Sequence, residues 1–463
     1  MLRSFWRDQV GSIADRGREI LKLATGAPKR APDAGALARR LLAQRGEASG
    51  LALAQDLAMA IRTMDRKALE EFLLVLASDF ACDPLALEKA IEDWQRQPGD
   101  RTLARLRAAI ETPRQELFRR LNMAADGTGT IVELRRLLLQ ILPERPELRA
   151  VDEDLRHLLG SWFNRGFLRL ERIDWNTPAA ILEKLIRYEA VHEIDGWDDL
   201  RLRLAADRRC FAFFHPAMPD EPLIFVEVAL LDHMADAVAP LLAKDRPVGD
   251  PHAADTAIFY SISNCQDGLR GISFGNFLIK QVVSELQAEL PEMAVFATLS
   301  PVPGLRRALK SGGEEGFSPA RIEALLGDEV LRLARQTGNE DPLAGIEALL
   351  KRSDVVAPAV HKALQRLTLA YLTQIRRGRG TFDPVGHFHL SNGARLDRIN
   401  VRADLSSKGM AQSFGTMVNY LYDPRSLEEN HEAYVDGGEI SMPRRLAGEA
   451  EEIARLWQPV MAA

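Results

Sequence analysis

AIFYSISNCQDGLRGISFGNFLIK, residues 257–280, decides how the chain folds. Ala257–Ser263 is rich in Ile, Phe and Tyr, as a strand requires. Asp267-Gly-Leu-Arg-Gly-Ile-Ser-Phe-Gly275 is a glycine-bearing loop. Asn276–Leu290 carries Phe277, Leu278, Val282 and Leu286 as a helical stripe, and Ala294–Leu299 is a further apolar run. Strand, loop, helix, strand is an α/β arrangement. Upstream, Phe211–Phe214 and Leu223–Leu230 read as two more strands.

Outward from this unit the character changes. Residues 1 to about 165 read as helical: Leu69, Phe72, Leu73 and Leu76 follow i, i+3, i+4, i+7 spacing, as do Leu134, Leu137, Leu138 and Ile141. Turn signals at Gln97–Asp100, Asp126–Gly129 and Pro143–Pro146 punctuate the stripes. No fixed period repeats, so an irregular bundle is expected rather than a repeat array. Downstream, Ser318-Pro319 and Asp341-Pro342 are helix starts, an N-cap followed by Pro at the first helical position. The helices should end in the turn Arg376–Gly380. From Val385 the sequence has a strand-like start, an Asn392-Gly393 turn and a C-terminal helix that includes Ile453 and Leu456. The expected fold class is α/β in the broad α+β sense. It has an all-helical N-terminal domain over residues 1–165. A mixed-sheet catalytic domain follows over 166–463, with a helical insertion at about 316–378.

Composition excludes several classes. The chain has 463 residues, a net charge of −6 and no basic run, so no nucleic-acid partner is implied. Cys82, Cys210 and Cys265 are far apart and form no CxxC pair, which fits a reducing cytoplasm rather than a zinc or disulfide framework. The apolar run Pro222–Leu231 is short and broken by Glu227, so no membrane span is expected. The N-terminal arginines are accompanied by Asp8 and Asp15 and by no apolar h-region. That disfavours secretory and mitochondrial leaders.

Three stretches carry candidate chemistry. In the 267–275 loop, glycines let backbone N–H groups approach a phosphate, and the helix that follows adds a favourable dipole. The loop lacks the Gly-Lys-Ser/Thr of a P-loop and the GxGxxG of a dinucleotide fold. It looks like the pyrophosphate loop of the N-acetyltransferase superfamily; an ordinary strand-to-helix turn would read the same way. In Phe296-Ala-Thr-Leu-Ser300-Pro-Val-Pro-Gly304, a serine ends a strand, where α/β sheets place ligands. In His387-Phe-His389, two histidines at i and i+2 would share a strand face, but no third metal ligand is near.

In order, FYSIS (259–263), GLRG (268–271), FGNFLIK (274–280), LSPVPG (299–304), FHLSNGA (388–394), RIN (398–400), Ala403-Asp404 and Ser413–Tyr422 resemble the malonyl-CoA decarboxylase family. Arg172, Trp175, Glu189–His192 and Glu221–Leu223 look like further family positions. The resemblance implies an acyltransferase (GNAT)-like catalytic half that turns malonyl-CoA into acetyl-CoA and CO2. It implies no metal or other cofactor beyond the coenzyme A of the substrate, and a homo-oligomer, tetramer or dimer, with subunit contacts on the helical half. It places the catalytic serine at Ser300 and the catalytic histidine at His389 rather than His387. It maps the acyl-CoA loop onto Arg270, Gly271, Ile272, Ser273, Phe274, Gly275 and Asn276. Where some family members carry a glutamate, this chain has Ser273, so a role for that glutamate does not transfer. Two other readings stay open: an acyl-CoA-dependent N-acyltransferase and a non-catalytic acyl-CoA-binding protein. His157, His192, His233 and His361 read as surface or packing residues, and His215 as one that could approach the pocket. Tyr420 and Tyr422 read as packing. Arg270, Arg306, Arg307 and Lys310 are candidates for the adenosine phosphate.

Overall fold

The computed structural model describes residues 33–272, 278–312, 316–352 and 356–457. Two compact units form. The first runs to Leu168 and includes His215–Pro219 and the stretch that begins at Gln266. The second holds the rest.

The first unit is helical, from Ala34–Ala43 through Arg149–Trp162. The stripe Leu69, Phe72, Leu73 and Leu76 is buried in the helix Arg66–Ser78, which Asp65 caps by accepting the Ala68 N–H. Two buried guanidinium groups hold the interior. Arg114 pairs with Asp154, which also accepts the Thr112 hydroxyl at 2.8 Å. Arg135 pairs with Asp152 at 2.8 Å and donates to the carbonyls of Gly268 (2.7 Å) and Arg270 (2.9 Å). The helices Pro84–Arg96 and Asp100–Ile110 pack on each other and bury little else: Leu85, Ile91, Trp94, Leu103 and Ile110 stay exposed.

The second unit is built on an eight-stranded mixed sheet: β1 (Arg169–Ile173), β2 (Arg208–His215), β3 (Met218–Leu231), β4 (Thr256–Asn264), β5 (Val295–Thr298), β6 (Ser300–Pro301), β9 (Arg395–Asn400) and β10 (Met417–Leu421). A two-stranded hairpin, β7 (Arg376–Arg377) with β8 (Gly380–Thr381), stands apart from it. The order is β1-β2-β3-β4-β5-β10-β6, with β9 on the other edge of β10. Only β4 and β5 pair in parallel, joined by the helix Leu278–Glu289, as the strand, loop, helix, strand reading requires. Their pairing ends at Phe259 and Thr298, just before Ser300. Beyond it β4 pairs only with β3, where Tyr260 is an extra residue between the rungs Val228–Phe259 and Glu227–Ser261, a β-bulge. Glu227, the charge inside the apolar run, is buried and ion-paired with Arg203 at 2.9 Å.

The helical insertion runs from Pro319 to Gln374, and Ser318 caps its first helix through the Arg321 N–H. That helix is kinked at Gly327, whose φ is 73°. The strand-like reading after Val385 is overturned: Pro384–Ser391 is an α-helix. Asp383 is its N-cap, accepting the Gly386 N–H at 2.7 Å, and Pro384 fills the first turn. The same cap-and-proline signal that marked the insertion outranks local strand propensity here. β1, β9 and β10 were not anticipated as strands.

Candidate active site

Two chain segments bring the candidate residues together. β5 and β6 are one strand interrupted at Leu299, and β10 runs antiparallel along both in a single register. At the interruption, side chains replace backbone rungs. The Tyr420 N–H donates to Thr298 Oγ1 (3.2 Å), and Asn419 Nδ2 donates to the Thr298 carbonyl (2.8 Å). The break turns Ser300 toward the helix Pro384–Ser391, where Ser300 Oγ lies 2.9 Å from His389 Nε2. His389 Nδ1 in turn lies 2.7 Å from the Tyr422 hydroxyl, at the end of β10.

The hydrogen bonds have a direction. Ser300 Oγ donates its one proton to Thr298 Oγ1 at 2.9 Å. Its contact with His389 Nε2 therefore needs the proton on Nε2, and Nδ1 is left to accept from Tyr422. The order Tyr422, His389, Ser300, Thr298 is a donor chain that points toward the serine. A serine nucleophile activated by its histidine would need the opposite arrangement, with Nε2 unprotonated and Ser300 donating to it.

The surroundings are apolar and dry. His389 is 2% exposed, its ring stacks on Tyr420 (4.7 Å, 24°) and meets Phe388 edge-on (5.1 Å). Burial alone pushes its pKa down to about 3, because no charged partner stands beside it. Burial also pushes the Tyr422 hydroxyl well above its usual range. Both groups are neutral near pH 7. Unlike a triad with a carboxylate, this chain has no built-in anion to stabilise an imidazolium.

His387 does not share this site. On a helix, residues i and i+2 point to different faces. His387 Nδ1 meets the Tyr434 hydroxyl at 2.9 Å instead. Among the described residues, no group of three His, Cys, Asp or Glu side chains is placed to hold a metal ion. His215, a candidate to approach the pocket, has both ring nitrogens engaged, with the Trp162 carbonyl and the Ala217 N–H, each at 3.1 Å. Arg306 is half-buried against Glu347 (2.5 Å) and stacked over Phe414, while Arg307 and Lys310 are exposed.

Of the loop residues, Ser273, Phe274, Gly275 and Asn276 lie outside the described residues. Arg270, Gly271 and Ile272 belong with the first unit. Arg270 pairs with Asp267 (2.9 Å), and Gly271 has φ 76°, which favours glycine. Gly268 is pressed against the helix Gly127–Ile141, where a Cβ would stand 1.9 Å from the Val132 carbonyl oxygen.

Tyr422, Thr298 and Arg135 are contributors that sequence reading missed. Tyr422 lay inside a recognised motif and read as packing. Its position two residues beyond Tyr420, and so on the same strand face, was the available signal. Nothing in the sequence tied Arg135 to a loop more than a hundred residues away.

Comparison with known proteins bears on the whole chain. Residues 166–458 match the family model for the malonyl-CoA decarboxylase C-terminal domain, and residues 80–163 match that for its N-terminal domain. The chain is 35% identical over 393 residues to the mitochondrial malonyl-CoA decarboxylase of Anser anser anser, covering 79% of this chain and 76% of that protein. It is 35% identical to the Rattus norvegicus mitochondrial enzyme over 355 residues, 74% of this chain and 72% of that one. Among solved structures, malonyl-CoA decarboxylase from Rhodopseudomonas palustris superposes with a TM-score of 0.82 at 46% identity, covering 91% of this chain and all of that one. The Agrobacterium vitis enzyme superposes with 0.77 at 44% identity, covering 90% of this chain and all of that one.

Proposed function

The chain belongs to the malonyl-CoA decarboxylase family, and from that premise we propose that Ser300 and His389 carry the conversion of malonyl-CoA to acetyl-CoA and CO2. The observation that supports this most directly is the 2.9 Å contact between Ser300 Oγ and His389 Nε2 in a buried, uncharged site.

Malonyl-CoA is a β-carboxy thioester. When its C–C bond breaks, the electron pair delocalises onto the thioester oxygen and CO2 departs, so the substrate is its own electron sink. No further cofactor is needed. The reaction consumes one proton, delivered to the α-carbon. The bound malonyl carboxylate supplies the anion that His389 lacks and raises its proton affinity. The substrate complex then holds an imidazolium, with Nδ1–H turned onto the Tyr422 oxygen and Nε2–H aimed toward Ser300. The Ser300 hydroxyl swings from Thr298 to a substrate oxygen, where a preorganised donor contributes about 3–4 kcal/mol. His389 protonates the carbon once CO2 has left, a role worth about 10²–10⁴-fold. The loop Arg270–Asn276 would hold the coenzyme A phosphates with backbone amides. An acyl-enzyme on Ser300 is disfavoured by the direction of the donor chain.

The test is release of CO2 and acetyl-CoA from malonyl-CoA by folded wild type, Ser300→Ala and His389→Asn. Each variant should lose at least about 10²-fold in kcat. Full activity in either, or a covalent acyl-Ser300 trapped in wild type, would overturn the assignment.

The chain is further proposed to act as a homo-oligomer, tetramer or dimer. The exposed apolar residues on the helices Pro84–Arg96 and Asp100–Ile110 support this. A reducing cytoplasmic setting is supported by three free cysteines, two of them buried. No helix among the described residues is long and apolar enough to cross a membrane. Within metabolism the reaction would serve malonate catabolism or control of malonyl-CoA supply.

A further inference from the structure

Directly beneath the catalytic pair lies a buried couple with no role in the scheme above. Asp383 is fully buried, and its Oδ2 has no hydrogen-bond partner; nor does the buried hydroxyl of Tyr371. The two face each other across Gly304. A Cβ built on Gly304 would stand 2.1 Å from Tyr371 Oη and 3.8 Å from Asp383 Oδ2. Gly304 ends the Ser300-Pro-Val-Pro-Gly304 turn, and Asp383 caps the helix that carries His389. The serine segment and the histidine segment therefore meet on this one couple. Tyr371 arrives from a third element, the helix Pro358–Gln374.

We propose that Asp383, with Tyr371, is a positioning residue for the reaction: its ionised carboxylate holds the Ser300 turn and the His389 helix in register, and its protonation loosens them. This rests on the assignment of Ser300 and His389. As an anion, Oδ1 accepts the Gly386 N–H at 2.7 Å, and Oδ2 is free to accept the Tyr371 proton. As an acid, Oδ2 becomes a donor facing another donor, so the couple must separate, and Gly304 has no room to follow. The titration falls in a useful range. Burial pushes the Asp383 pKa up to about 6, against the lowering effect of the Gly386, Val385 and Gly304 backbone and the Tyr371 hydroxyl. The groups facing it are Tyr371, Tyr420 of β10 and Tyr434 of the helix Leu427–Gly437, all of which stay protonated. Arg307 acts on it through Tyr371, and His387, on its own helix, is held neutral by burial and by Arg377.

The experiment measures kcat and KM for malonyl-CoA from pH 5 to 8 in wild type, Asp383→Asn, Tyr371→Phe, Gly304→Ala and Gly304→Ala/Tyr371→Phe, each normalised to folded protein. Wild-type kcat should rise with pH through about 6. Asp383→Asn keeps the cap on Gly386 but cannot ionise. It should lower kcat by about tenfold or more at pH 7.5, leave KM within about twofold and flatten the acid limb. Gly304→Ala should lower kcat in the same way, and removal of the Tyr371 hydroxyl should recover part of it. Wild-type kcat in Asp383→Asn, or an acid limb that persists in it, overturns the proposal. So does a loss in Gly304→Ala that Tyr371→Phe does not relieve. If Asp383→Asn does not fold, Tyr371→Phe alone decides: an unchanged kcat and acid limb overturn the proposal. Ser300→Ala keeps the two questions apart, since full activity there sinks the catalytic assignment whatever Asp383 does.

Discussion

At the residue scale, the site runs on neutrality. Tyr422 orients His389 through one neutral hydrogen bond, which is ordinarily worth about 1 kcal/mol. Tyr422→Phe should therefore lower kcat by about five- to tenfold, with KM little changed. A loss as large as that of His389→Asn would instead make Tyr422 a proton donor in its own right. Stability gives a second readout. The folded-state pKa of His389, about 3, lies below its ordinary 6.5, so the unfolded chain takes up this proton first. The stability tied to His389 is complete above pH 6.5 and is lost as pH falls toward 3. Measured by urea unfolding, wild type should lose about 1.4 kcal/mol per pH unit relative to His389→Asn between pH 6 and pH 4. A pH-independent difference would mean that the imidazole finds a counter-charge or water when the free enzyme is acidified. Ser300 and His389 were legible only through their motifs. Neither spacing nor composition sets them apart, because a buried hydrogen bond between residues 89 positions apart leaves no local pattern.

At the element scale, periodicity and caps carried most of the reading. The strand, loop, helix, strand unit at 257–299 and the insertion started by Ser318-Pro319 both appear where expected. The helix Pro384–Ser391 was misread because Val385, Phe388 and the two histidines suggest a strand, while the deciding cap, Asp383-Pro384, sits outside that run. β9 and β10 were missed because their polar residues, Asp397, Arg398 and Asn419, obscure the apolar alternation. In β10 the exception is functional: Asn419 spans the gap between splayed strands. The glycine loop has its own brace in Arg135. Arg135→Met would leave the Gly268 and Arg270 carbonyls and Asp152 without their donor, a class of change that costs about 3–5 kcal/mol when the pair is buried. If the loop holds coenzyme A, KM for malonyl-CoA should rise about tenfold or more while kcat in folded protein changes little. An unchanged KM would remove the loop from the binding site.

At the scale of the whole molecule, the hairpin Pro84–Ile110 is the feature that the interior does not explain. Trp94 is 39% and Leu85 75% exposed on helices that bury almost nothing but Ala90. If this face meets another copy, Leu85→Asp/Trp94→Asp should shift the mass seen by light scattering toward the monomer and leave turnover per folded chain within about twofold. An unchanged mass would assign subunit contacts elsewhere. Composition had bounded this level well, with more than one domain, no nucleic-acid partner and no membrane span. Subunit number is not written in residue patterns, because an apolar stripe looks the same whether its own chain or another covers it.

The placement of β10 between β5 and β9 also sets the order in which the molecule can be made. A strand near the C-terminus is inserted into the middle of the sheet. During synthesis, at about 5–20 residues per second, Ser300 therefore leaves the ribosome several seconds before His389 and Tyr422 exist. Until residues 417–421 arrive, β5 presents an open, apolar edge of the kind that pairs with other chains. A message cut short anywhere in that interval would yield a protein that lacks Tyr422 and is also prone to stick to itself, so loss of the last tenth of the chain should deplete the cell of soluble protein before any question of activity arises.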